Sequence, residues 1–152
     1  MIVCCFNSQR SGGKVKQVLN RKKGNELITL LIVEDEKELL YSIAFILKRQ
    51  GYVVVTSSNA EKALAMLNRD KENSINLIIT DIQLPGISGL DFIDTLREQN
   101  STAPVMVITA YKGTEILSAL KKRGIMHFLI KPFDTSELIE KIESALSEEK
   151  NG

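Results

Sequence analysis

From Leu27 onward, short apolar runs alternate with longer stretches in which apolar residues recur at helical spacing. The runs are Leu27 to Val33, Tyr52 to Thr56, Ile75 to Thr80, Pro104 to Thr109 and Met126 to Ile130, and their starts lie 22 to 29 residues apart. One strand plus one crossover helix takes about that length, so the spacing predicts five successive βα units. Most runs are apolar at nearly every position instead of alternating. Both faces of each strand must then be covered, which favours a parallel sheet between two layers of helices.

The intervening segments supply those helices. Leu39, Leu40, Ile43, Phe45, Ile46 and Leu47 form the stripe of a first helix that Gly51 stops. Ala60, Ala63, Leu64 and Leu67 mark a second behind a cap at Asn59, and Leu90, Phe92, Ile93 and Leu96 a third. Ile116, Leu117 and Leu120 give a short fourth ending at Gly124. The fifth starts at Asp134, with Thr135, Ser136 and Glu137 as cap material, and runs through Leu138, Ile139, Ile142 and Ala145 to finish near Leu146.

A chain of 152 residues, 43% of them hydrophobic, has the size and core of one ordinary domain. No uncharged stretch approaches the roughly 18 apolar residues of a membrane span, and the N-terminus lacks the apolar core of a secretory signal. The expectation is a soluble, cytoplasmic protein with no membrane segment. Cys4 and Cys5 are the only cysteines and His127 the only histidine, too few to build a disulfide framework or a thiolate and imidazole metal shell. Two thiols in a flexible tail is the simpler reading.

The net charge of +1 hides an asymmetry. Residues 1–26 hold Arg10, Lys14, Lys16, Arg21, Lys22 and Lys23 against Glu26 alone, so this stretch carries +5 and the remainder −4. The chain therefore divides into a basic, flexible extension over 1–26, a domain over 27–148 and a short tail over 149–152. The extension reads either as a solvated tail or as a site for nucleic acid or an acidic partner.

In an open parallel sheet, ligands bind beyond the carboxyl ends of the strands. There the sequence places Glu34 and Asp35 after the first run, Asp81 after the third, Thr109 at the end of the fourth and Lys131 after the fifth. Unit charges about 4 Å apart repel by roughly 4 kcal/mol at an effective dielectric of 20. Three carboxylates and one lysine leave a charge of −2, which one divalent cation balances. Carboxylate oxygens with room for water and phosphate suit Mg²⁺. Asp81, alone at the end of a central strand and followed by a loop, is the candidate nucleophile toward phosphorus. Lys131 can pair with a phosphoryl oxygen and Thr109 can donate to another. Taken singly, Glu34, Asp35 and Glu36 could also just complement a helix dipole, Asp81 open a turn and Lys131 lie along a strand end. Four of five strand ends carrying complementary groups favours a site.

The stretches Leu30-Leu31-Ile32-Val33-Glu34-Asp35-Glu36, Asp81-Ile82-Gln83-Leu84-Pro85-Gly86 with Gly89, Thr109-Ala110 and Lys131-Pro132-Phe133 together resemble the receiver domain of two-component response regulators. The resemblance covers about residues 27 to 147, with every motif in order. It implies a flavodoxin-like (βα)5 doubly wound sheet with strand order 2-1-3-4-5. It further implies that Asp81 is phosphorylated by a partner histidine kinase or histidine phosphotransferase. Glu34, Asp35, Asp81 and the backbone carbonyl of Gln83 match the Mg²⁺ ligands, although Glu34 is longer than the commoner aspartate and suits coordination through water. Thr109 and Ala110 match the phosphoryl-binding switch segment, Lys131 its lysine and Phe128 its switch aromatic, while Gln83 and Tyr111 fall where the family tunes phosphoryl lifetime. The Lys131–Pro132 bond matches a position that is usually cis. Phosphorylation would then change the face made of the fourth helix, fifth strand and fifth helix, which could also support a homodimer.

Two rivals share parts of this chemistry. A haloacid dehalogenase type phosphohydrolase uses a strand-end aspartate and Mg²⁺, but its general acid lies two residues on, where this chain has Gln83. A flavin-binding flavodoxin shares the fold, yet the first loop lacks a phosphate cradle and its carboxylates repel a flavin phosphate. After the fifth helix too few residues remain for a DNA-binding or catalytic output domain. The chain is thus expected to catalyse at most its own phosphorylation and dephosphorylation, as a single-domain regulator or as the receiver of a larger regulator or hybrid kinase.

Overall fold

A computed structural model of the chain describes residues 21–23 and 26–148. Cys4, Cys5, most of the basic extension and the expected tail over 149–152 lie outside the described residues.

Five strands form one sheet: β1 Thr29–Val33, β2 Val53–Ser57, β3 Ile75–Asp81, β4 Val105–Thr109 and β5 His127–Ile130. They alternate with α1 Lys37–Arg49, α2 Ala60–Arg69, α3 Gly89–Glu98, α4 Thr114–Lys122 and α5 Thr135–Glu148. Every pairing in this sheet is parallel and the order is β2-β1-β3-β4-β5, the flavodoxin-like arrangement. Among the described residues no helix is long and apolar enough to cross a membrane.

The continuous apolar character of the strands follows from this layering. On one face Leu30 and Ile32 of β1, Leu77 and Ile79 of β3, and Met106 and Ile108 of β4 pack with α1 and α5. On the other, Leu31, Val33 and Ile78 meet Ala60 and Ala63 of α2 and Phe92 and Leu96 of α3. Ile82, Ile93, Val107, Leu120 and Ile125 continue that layer toward α4. Each strand thus buries alternate residues in opposite directions.

The helix ends follow local chemistry. Asn59 caps α2 by accepting the Lys62 N–H at 2.9 Å. Ser88 caps α3, which begins at Gly89, one residue before the apolar stripe. Asp134 and Glu137 exchange side-chain to backbone bonds of 2.9 Å, closing a reciprocal cap on α5. Helix α5 extends to Glu148, two residues past the expected end.

The first apolar run is split. Leu27 belongs to a two-residue strand, Glu26–Leu27, paired antiparallel with Lys22–Lys23, and β1 starts only at Thr29. The β1–β3 register shifts between Thr29 and Leu30, where the Asn76 side-chain oxygen accepts the Thr29 N–H at 2.7 Å. Packed structure reaches back to Arg21, inside the stretch expected to be extension. The Arg21 N–H donates to the Gly51 carbonyl at 2.8 Å and its Nε to the Gln50 carbonyl at 3.1 Å. Its guanidinium lies 5.1 Å from the Tyr52 ring centroid and pairs with Glu143 of α5. A positive charge that looked like part of a solvated run here bridges the end of α1 to α5.

Candidate functional site

The parallel register brings the carboxyl ends of four strands to one edge. Val33 lies opposite Thr80, Asp81 opposite Ile108 and Thr109 opposite Ile130. Glu34 and Asp35 leave β1, Asp81 closes β3, Thr109 closes β4, and Lys131 follows β5. The Lys131 N–H donates to the Thr109 carbonyl at 2.8 Å, tying the last two strand ends together.

The side chains meet around Lys131. Its Nζ donates to Asp81 Oδ2 at 2.6 Å and to Glu34 Oε2 at 2.9 Å. The Glu34 and Asp81 side chains are only 4% and 6% exposed, so each depends on this cation for compensation. Burial raises the Glu34 pKa, although Lys131 and the Glu36 N–H, which donates to Oε1 at 3.1 Å, pull it down. For Lys131, burial opposes the charged form but the two carboxylates together outweigh it, and its pKa is raised. Asp35 is exposed at the rim of the same edge.

Asp81 uses its other oxygen, Oδ1, to accept the Gln83 N–H at 2.9 Å. The Gln83 side chain crosses to the next loop and donates from Nε2 to the Tyr111 hydroxyl at 3.0 Å. Thr109 is fully buried and its Oγ1 accepts the Tyr111 N–H at 3.1 Å. Ala110 is exposed beside it, and Phe128 is partly buried against the layer that contains Ile82, Val107 and Leu120. The Lys131–Pro132 peptide bond is cis.

The oxygen donors suit a hard cation. Among the described residues no three side-chain ligands cluster tightly enough to form a cage by themselves, because Lys131 stands between Glu34 and Asp81. Mg²⁺ needs no such cage: it takes one or two carboxylates and fills the rest with water and phosphate oxygens. Asp35, Asp81 and the Gln83 carbonyl are the oxygen donors at this edge that could meet that demand. Both oxygens of Glu34 are already hydrogen-bonded, which leaves it suited to a water-mediated contact.

Three contacts were not evident from sequence, although Gly89 itself stands in the motif. Gly89 lies so close behind the phosphoacceptor candidate that a Cβ there would sit 2.0 Å from the Asp81 carbonyl oxygen. Glu61 of α2 reaches the loop after β3 and accepts the Ile87 N–H at 3.1 Å. Arg123, just past α4, makes a two-pronged pair with Asp94 of α3 at 2.8 and 2.7 Å. An acid in a first helical turn and a base after a last one read as dipole complements, so only the fold reveals these partners.

The model of the response regulator receiver domain matches residues 30–143, a span that holds every site residue named above. The chain belongs to the response regulator receiver domain family. This receiver is 32% identical over 119 residues to a cyclic di-GMP phosphodiesterase of Thermotoga maritima, a match covering 78% of this chain and 31% of that protein. It is 30% identical over 116 residues to an uncharacterized 14.6 kDa protein of Leptolyngbya boryana, covering 75% of this chain and 86% of that one. A receiver domain protein (CheY-like) from Methanospirillum hungatei superposes with a TM-score of 0.76 at 29% identity, over 84% of this chain and 100% of that chain. The chain spans about a quarter to a third of the first curated relatives, so the name phosphodiesterase describes the larger Thermotoga protein. Receiver domains are signalling modules of two-component systems, in which histidine kinases are their partners. Neither the dehalogenase-type nor the flavodoxin reading is favoured.

Proposed function

We propose that Asp81 accepts a phosphoryl group from a histidine kinase or histidine phosphotransferase, with Asp35, Asp81 and the Gln83 carbonyl holding Mg²⁺ and Glu34 contributing through water. The observation that carries this reading is the 2.6 Å bond from Lys131 to Asp81, which sets a buried strand-end carboxylate directly against a cation. Mg²⁺, when bound, supplies charge neutralisation for the incoming phosphoryl oxygens. The Asp81 carboxylate attacks phosphorus, an O–P bond forms and the P–N bond to the donor imidazole breaks. Lys131 then moves its hydrogen bond from carboxylate to phosphoryl oxygen.

Thr109 completes the site. Its hydroxyl accepts from Tyr111 in this structure and can instead donate to a phosphoryl oxygen. Ala110 offers a backbone N–H at the same edge, and Phe128 rests against the layer of Ile82, Val107 and Leu120, a packing that a turn of its ring would change. The change reaches α4, β5 and α5, the face that meets a downstream protein or a second receiver. Phosphorylation adds about −1.5 to −2 of charge, and such a population shift takes a few kcal/mol of differential contact. The chain catalyses no reaction beyond gain and loss of its own phosphoryl group, and it works in the cytoplasm beside its kinase.

Amide NMR with Mg²⁺ and beryllofluoride tests the reading. Wild type should shift at Asp81, Thr109, Phe128 and Lys131 and Asp81→Asn should not; equal spectra of the two proteins would contradict it.

A further inference from the structure

The loop from Gln83 to Ser88 carries a proposed metal ligand, the Gln83 carbonyl, between Asp81 and α3. Its first residue is held by Asp81 itself through the 2.9 Å bond from the Gln83 N–H to Oδ1. Its far end is held by the Gly89 N–H, which donates to the Ile82 carbonyl at 2.9 Å. Leu84 and Ile87 rest against the apolar layer under α2 and α3. Within the loop the Leu84 N–H donates to the Ile82 carbonyl at 3.2 Å, and a hold from a different element, the Glu61 carboxylate, comes at Ile87.

Two observations define this contact. Glu61 Oε1 accepts the Ile87 N–H at 3.1 Å, reaching across from the first turn of α2. Gly86 leaves the room for it: the backbone there has φ +76°, and a Cβ would meet Glu61 Oε1 at 2.2 Å. The positive φ calls for glycine at position 86 by itself, and the Glu61 carboxylate fills the space that the missing side chain leaves.

We propose that Glu61 is a positioning residue, which clamps the loop after β3 at Ile87 and thereby fixes the Gln83 carbonyl for the metal. The inference rests on the reading of Asp35, Asp81 and Gln83 as the metal end of the site. The Gln83 N–H bond ends on the acceptor carboxylate itself, so it depends on the state of Asp81. The clamp at Ile87 is independent of Asp81, so it keeps the loop in place in both states. Supports of a ligand are commonly worth on the order of tenfold or more in metal affinity.

The test is a Mg²⁺ titration of the full chain by calorimetry, with hydrogen exchange at the Ile87 amide in metal-free protein and a melting curve for each variant. Glu61→Ala should bind Mg²⁺ about tenfold more weakly, exchange Ile87 faster and melt near wild type. Glu61→Gln keeps the acceptor oxygen and should restore both affinity and protection; if it is as weak as Glu61→Ala, charge rather than clamping is responsible and the proposal falls. Glu61→Asp withdraws the carboxylate by one methylene without touching the loop backbone and should weaken binding and protection as Glu61→Ala does, which keeps the question open to decision if Glu61→Ala does not fold. Wild-type affinity in both Glu61→Ala and Glu61→Asp, with binding lost in Asp35→Asn, overturns the clamp alone. Binding that is absent from wild type, or unchanged in Asp35→Asn, overturns the site reading and the clamp with it.

Discussion

The Gln83 side chain donates to the Tyr111 hydroxyl at 3.0 Å, joining the loop after β3 to the loop after β4 at the mouth of the site. Each of the two also bonds back to a site residue, Gln83 through its N–H to Asp81 and Tyr111 through its N–H to Thr109. If these residues shield an acyl phosphate on Asp81, the shield is a bonded pair rather than one bulky ring. Tyr111→Ala should lose an acyl phosphate faster than wild type. Tyr111→Phe, which keeps the ring and loses the bond, should lose it by up to about fivefold faster, the kinetic equivalent of one hydrogen bond of ~1 kcal/mol. Dephosphorylation followed after donor removal checks both, and unchanged or slower loss in Tyr111→Ala would contradict the shield.

The Asp94–Arg123 pair joins α3 to the end of α4. The hydrogen bond from Arg123 holds the Asp94 carboxyl below its ordinary value near 3.8, against a smaller opposing effect of burial. A folded pKa below the unfolded one means that the pair stabilises above the unfolded value and that this stability is lost as pH falls through the folded value. The Asp94 side chain is 42% exposed, so screening by solvent limits the gain to about 0.5–1 kcal/mol. Urea unfolding of Asp94→Asn should show that deficit at neutral pH and a narrowing gap below roughly pH 4. A constant gap into strong acid would refute it.

Arg21 bonds to the Gln50 carbonyl, stacks on Tyr52 and pairs with Glu143. Its truncation to Ala should cost about 1–2 kcal/mol, from one partly buried hydrogen bond and one cation–π contact. Arg21→Lys should recover only part, since an ammonium cannot make the same fork and stack at once. Thermal melts of the two variants that overlay wild type would show that this segment contributes nothing to the fold.

Much of this was readable because burial writes itself into composition. The five apolar runs found all five strands of the sheet, their ends displaced by at most two residues, since a strand covered on both faces leaves a continuous signal. Strand order needed the resemblance, because no periodicity states which strand lies beside which. The Lys22–Lys23 and Glu26–Leu27 pair was invisible: two-residue strands rich in charge carry no pattern, and Arg21 looked like its basic neighbours. The strand-end rule brought Glu34, Asp81 and Lys131 to one edge, and the structure adds that Lys131 bridges the two carboxylates. Glu61 and Arg123 escaped because a side chain's partner across the fold is set by tertiary geometry, while its position in a helix suggests a local role.

Phosphoryl acceptance at Asp81 is read by intact-mass measurement after incubation with Mg²⁺ and acetyl phosphate, with the modified residue mapped by peptide fragmentation. Wild type should gain one phosphoryl group, located on Asp81, and Asp81→Asn and wild type with Mg²⁺ removed by chelation should gain none. Equal modification of wild type and Asp81→Asn would contradict it.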